Sequence, residues 1–90
     1  MIFNFVKKEY DIIKEYGNFE DLELPYKLYP QSNQIEVDDS EVCLFKSVIS
    51  DIAIIYGMDK NQNNMTDFGY KVLDIYDKVY FQICQAKAPN

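Results

Sequence analysis

Carboxylates crowd together twice in this chain, at Glu20, Asp21 and Glu23 and again at Asp38, Asp39 and Glu41. Such clusters can hold Mg²⁺ through oxygen ligands, or divide acid and base roles between neighbours. Neither has a nucleophile or an electrophile fixed beside it in the sequence. A third candidate is a calcium loop starting at Asp59. Asp59, Asn61 and Asn63 match positions 1, 3 and 5 of an EF-hand and Asp67 falls at position 9. Position 6 is then Asn64 where the turn needs Gly, and position 12 is Tyr70 where a bidentate Glu is needed. An Asn-rich connector between helices is the better reading. The chain has no His, so the usual general base and the commonest transition-metal ligand are both missing. It has no Arg, so no bidentate phosphate clamp can form. No catalytic residue, metal ligand or cofactor is assigned, and the expectation is a protein that is not an enzyme.

What remains is charge and aromatic surface. Fifteen acids against nine bases leave a net charge of −6. Residues 18–41 hold seven of the acids (Glu20, Asp21, Glu23, Glu36, Asp38, Asp39 and Glu41) and one base, Lys27. The rest of the chain is balanced, so the net charge belongs to one segment, which also carries Phe19, Tyr26 and Tyr29. An acidic surface rich in aromatic rings suits a basic protein partner: the field steers association and the rings anchor it. It repels phosphates, which argues against nucleic acid.

The elements that must position these residues follow from apolar spacing. Over 2–16, Ile2, Phe5, Val6, Tyr10, Ile12, Ile13 and Tyr16 fill half a helical wheel, and Gly17 supplies a left-handed stop. Glu9 falls inside the apolar half, as a paired carboxylate, a contact residue or a sign that the wheel is rotated. Between Phe19 and Leu24 there is room for a turn or two of helix. YKLY and QIEV can then pair as a hairpin across Pro30–Asn33. Over 39–56, with Asp38 and Glu41 placed as a capping box, Val42, Phe45, Val48, Ile49, Ile52, Ala53, Ile55 and Tyr56 cover half the wheel. A helix so apolar should be central. The polar run 58–66 leads to Thr66 as N-cap of a third helix over 67–86, whose buried arc is Phe68, Val72, Ile75, Tyr76, Val79, Tyr80 and Ile83. The expected fold is mainly α: one domain over 1–90, a small three- to four-helix bundle. A structured acidic loop, with room for a short β-hairpin, joins helices 1 and 2. Cys43 and Cys84 each fall within a helix, where buried free thiols are expected.

On the far side of the third helix, Tyr70, Asp74, Asp77 and Phe81 recur at i, i+4, i+7 and i+11. Either residues 18–37 fold over this stripe and cover Phe81, or it is an aromatic–acidic contact surface. The partner-binding candidates are therefore Glu20, Asp21, Glu23, Tyr26, Tyr29, Glu36, Asp38 and Asp39, with Tyr70, Asp74, Asp77 and Phe81 as a second patch.

In size, acidity and Tyr/Asp content the chain resembles the immunity proteins of bacterial toxin systems, those of colicins and of contact-dependent growth inhibition toxins. The stretch NNMTDFGYKVLDIYDKVY is similar to the closing helix of small immunity proteins, with its Asn/Thr-rich turn, aromatic–Gly pair and Leu–Asp run. The acidic helix with a tyrosine pair that marks the inhibitors of colicin DNases is missing. The resemblance implies a non-catalytic inhibitor that binds and neutralises a basic toxin, usually a nuclease. A phage-encoded inhibitor mimicking nucleic-acid charge would use the same surface. A different reading is a regulatory or structural subunit that dimerises through the apolar second helix; an inhibitor is expected to be a monomer or weak dimer alone. No apolar run reaches membrane-spanning length, since VCLFKSVISDIAIIYG is broken by Lys46 and Asp51. MIFNFVKKEY lacks the pattern of a signal peptide, so a cytoplasmic protein is expected.

Overall fold

The first apolar residues do not do what a helical wheel asks of them. Phe3 has no place on the apolar half of a helix starting at residue 2, yet it is 0% exposed. Phe3 and Phe5 are two apart and both buried, which is the period of a strand. The computed structural model, which describes residues 1–17, 19, 24–61 and 63–87, accordingly opens with a strand β1 at Ile2–Asn4 and begins helix α1 only at Lys7, ending at Tyr16. The hairpin follows as β2 at Tyr26–Tyr29 and β3 at Gln34–Val37, turning through Asn33 at φ 54°. Asn tolerates that left-handed conformation better than most residues. A 3₁₀ turn at Asp39–Glu41 leads into helix α2 at Val42–Tyr56, and helix α3 runs Asp67–Lys87.

The expected helix bundle is therefore wrong. Among the described residues the chain is an α+β fold in which three helices accompany a three-stranded antiparallel sheet of order β1-β3-β2. The reason is pairing across a long sequence distance. Phe3 sits opposite Ile35 on β3, and Leu28 of β2 sits opposite the same residue from the other side. Phe3, Ile35 and Val37 thus share the buried face of the sheet. Glu36, Gln34, Lys27 and Tyr29 take the other face by alternation.

The buried face packs on α2, where Phe45 meets Phe3 at 4.8 Å between ring centroids and Phe19 at 6.0 Å. α2 also packs along α3, so it is the central helix its composition suggests. The α2–α3 approach is closest at Gly57 and Gly69. A Cβ on Gly57 would lie 2.5 Å from the Gly69 Cα, and one on Gly69 would strike the Gly57 carbonyl. Thr66 locks this crossing: its hydroxyl donates to the Gly57 carbonyl at 3.0 Å and accepts from the Gly69 N–H at 3.2 Å, the N-cap bond of α3. In the connector, Asp59 accepts the Asn63 N–H at 3.0 Å, a local turn bond.

α3 also closes the sheet. Gln82 accepts the Asn4 N–H at 2.8 Å and donates to the Asn4 carbonyl at 3.0 Å, so a side-chain amide completes the free edge of β1. Glu9 is a paired carboxylate: it accepts the Val6 N–H at 2.9 Å and the Lys78 ammonium at 2.7 Å, joining the start of α1 to α3. Gly17 is extended, not left-handed, at φ −69° and ψ 139°; a Cβ there would lie 2.7 Å from the Phe19 ring. Both thiols are exposed, against expectation, because Cys43 and Cys84 fall on helix faces turned from the core. No helix among the described residues is long and apolar enough to cross a membrane.

Candidate protein-interaction surface

The first acidic patch divides in two. Glu20, Asp21 and Glu23 lie outside the described residues. Tyr26, Glu36, Asp38 and Asp39 come together, with Lys27 and Met1, around a shallow groove at one end of the sheet. Each carboxylate there already has an occupation. Glu36 accepts the Tyr29 hydroxyl at 2.7 Å and stands opposite Lys27 in the strand register. Asp38 accepts both the Ser40 N–H and the Ser40 hydroxyl at 3.1 Å, starting the 3₁₀ turn, and no Glu41 bond completes a capping box among the described residues. Asp39 is 2.8 Å from the Met1 ammonium, which also donates to the Val37 carbonyl at 2.7 Å.

These bonds show in the acidities. The hydrogen bond to the Glu36 carboxylate, then desolvation and the negative charge itself, push the Tyr29 phenol above its usual 10.0. The Ser40 N–H, followed by the Ser40 hydroxyl, holds the Asp38 carboxyl below its usual 3.8. Tyr26 is committed too, with its ring 4.6 Å from that of Phe19. The groove lining sets three carboxylates against two positive groups, Lys27 and the Met1 ammonium, so it stays acidic, but its carboxylates are committed to internal bonds.

The second patch differs. α3 buries Val72, Ile75, Val79 and Ile83, which at 100° per residue turns Tyr70, Asp74, Asp77 and Phe81 outward together. Residues 24–37 go to the sheet rather than over this helix, and Phe81 is 60% exposed and Tyr70 59%. Asp74 and Asp77 are exposed and make no ion pair among the described residues. Two nearby bases are engaged elsewhere, and Lys71, one turn before Asp74, is exposed and makes no ion pair with it. Lys78, one turn beyond Asp74, reaches back to Glu9, and Lys46 lies over the Tyr80 ring at 5.2 Å from its centroid. Two open aromatic rings thus flank two unpaired carboxylates along about 16 Å of helix, at 1.5 Å per residue.

The exposed apolar surface extends further than the stripe. Ile54, Ile55, Tyr56, Leu73 and Tyr80 are also exposed, although Ile55, Tyr56 and Tyr80 fit the buried arcs of their helices. Tyr56 ends α2 and meets Tyr16 in a tilted pair, ring centroids 5.0 Å apart, while Tyr80 sits at the margin of α3's arc beside Lys46. Ile54 had a signal in the sequence, since it is the one large apolar residue in α2's polar stripe. Among the described residues no group of three or more acids, histidines or cysteines is placed to hold a metal ion.

No known family, curated protein or solved structure matches the chain.

Proposed function

We propose that this chain is a non-catalytic binding protein that docks a basic protein through the outward face of α3. One observation carries the reading: Tyr70 and Phe81 are more than half exposed around Asp74 and Asp77, whose carboxylates are unpaired among the described residues. Leaving two large rings in water on a well-packed helix gains nothing for folding, whereas covering them in a complex is strongly favourable. The carboxylates select a cationic partner and speed its approach. The resemblance to toxin immunity proteins makes that partner a basic toxin, with a nuclease as the leading class. The chain would then act in the cytoplasm of the cell it protects.

The test is comparative capture. Wild-type chain and the Tyr70→Ala/Phe81→Ala variant, both shown to be folded by circular dichroism, are used as baits in lysate of cells that encode the chain and its neighbouring genes. The expected result is one strongly basic protein held by the wild type and lost from the variant, whose activity on nucleic acid falls when the wild-type chain is added. Equal retention by both baits, or a captured partner that is acidic, would contradict the proposal.

A further inference from the structure

We infer that the seat on this protein is the furrow between α2 and α3 on the face turned from the sheet, and that its occupant is a cationic amphipathic helix of the partner. This rests on the reading of α3 as a docking surface and specifies what docks. The Lys46–Tyr80 contact and the Gly57–Gly69 crossing fix α2 and α3 as antiparallel neighbours in a single register. In that register, at 100° per residue, the row Cys43, Ser47, Ser50 on α2 runs beside the row Leu73, Tyr80, Cys84 on α3. The α2 row is small, which leaves room for a third backbone to approach. Of its two hydroxyls, that of Ser47 donates to the Cys43 carbonyl at 3.1 Å. The furrow therefore has a wall of small side chains on α2 and a larger, mostly apolar wall on α3, with Lys46 reaching across to the Tyr80 ring.

Its rims are acidic. Asp51 stands on the α2 side, Asp74 and Asp77 stand on the α3 side, and all three are exposed. Lys46 lies over the Tyr80 ring, and Lys78, beside Asp77, pairs with Glu9. A helix with an apolar seam and basic residues on both flanks complements that arrangement, as flanking charges do in coiled coils. A second copy of this chain does not. The stripe reads aromatic, acid, acid, aromatic from either end, so in-register packing of two copies, parallel or antiparallel, sets carboxylate against carboxylate. Each copy already carries a net charge of −6.

Cys43 and Cys84, both free and exposed at one end of the furrow, report its occupancy directly. The probe is a capped three-heptad peptide of leucine and lysine with leucine at the a and d positions. Its control has the same composition shuffled to remove any helical face. Alkylation of each thiol in the full chain is followed by mass spectrometry. Saturating probe should slow both thiols by about tenfold or more, corresponding to at least 90% occupancy, while the control leaves them unchanged. Ser50→Lys, which puts bulk and positive charge into the furrow wall, should abolish protection while the circular dichroism spectrum stays the same. Asp51→Asn/Asp77→Asn should weaken it at low salt. Unchanged alkylation with the probe, equal protection by the shuffled peptide, or protection that rises with the concentration of the chain alone would overturn the inference, the last by making a second copy the occupant. If the basic partner is still captured through Tyr70 and Phe81 but the probe fails, only the helical occupant is wrong. If capture fails while the probe protects the thiols, only the basic-protein partner is wrong.

Discussion

The groove at the end of the sheet and the outer stripe of α3 are written in the same alphabet, tyrosine or phenylalanine beside aspartate or glutamate, and they are chemically opposite. In the groove, Glu36 takes a tyrosine hydroxyl, Asp38 starts a turn and Asp39 meets an ammonium. On α3, Asp74 and Asp77 have no such partners among the described residues: Lys78 pairs with Glu9, and Lys71 makes no ion pair. Charge density along a sequence is thus a poor guide to which carboxylates are free to pair with a partner. What counts is how many carboxylates are left over after the fold has taken those it needs.

Substitutions can break this comparison or sharpen it. The largest effect is expected from Tyr70→Ala with Phe81→Ala. If each ring anchors about 2 kcal/mol, partner affinity measured by calorimetry should fall ~30-fold for one ring and toward ~1000-fold for both, with the melting temperature unchanged. Tyr26→Ala in the groove should leave affinity alone, and the reverse pattern would exchange the roles of the two regions. Gly69→Ala comes next and acts on the scaffold that holds the stripe. Overpacking against the Gly57 carbonyl should cost about 1–3 kcal/mol in urea unfolding. Lys78→Met removes the base that Glu9 holds. The pair is partly exposed, so a loss of about 0.5–1 kcal/mol in the same measurement is expected, with binding unchanged.

The smallest effects are in pH. The Tyr29 phenol is raised in the folded chain, so its contribution to stability is full below its ordinary 10.0 and is lost as pH climbs through the folded value. Glu36→Gln should return the phenol toward that ordinary value, as read by ultraviolet titration. The Asp38 carboxyl is lowered, so its contribution is present above 3.8 and disappears as pH falls through the folded value. Asp38→Asn should flatten that acid limb slightly.

Local features were legible before any coordinates. The hairpin across Pro30–Asn33, the N-cap at Thr66, the extent of α3 and its outward stripe all depend on residues within a few positions of one another. β1 was not legible. Three residues cannot establish a period, and Ile2, Phe5 and Val6 satisfy a helix as easily as a strand. Its strand identity comes from Ile35, more than thirty positions away. The occupation of the acidic groove was hidden for the same reason, since the Met1–Asp39 contact spans 38 positions. Exposure of Tyr80 and both cysteines depends on how the elements pack around α2 and α3, which no local period encodes. What a single sequence conceals here is long-range pairing, and with it the difference between carboxylates that are used and those that are free.

The most direct measurement is the association rate with the captured basic partner at low and at physiological ionic strength. It is made for the wild type, for Asp74→Asn/Asp77→Asn and for Glu36→Gln/Asp39→Asn. Charge on the face that docks steers encounter and is screened by salt, so removing it should slow association at low salt and flatten the salt dependence. That result is expected for the α3 pair, with the groove pair close to wild type. A flattened profile for the groove pair beside an unaltered one for Asp74→Asn/Asp77→Asn would contradict it.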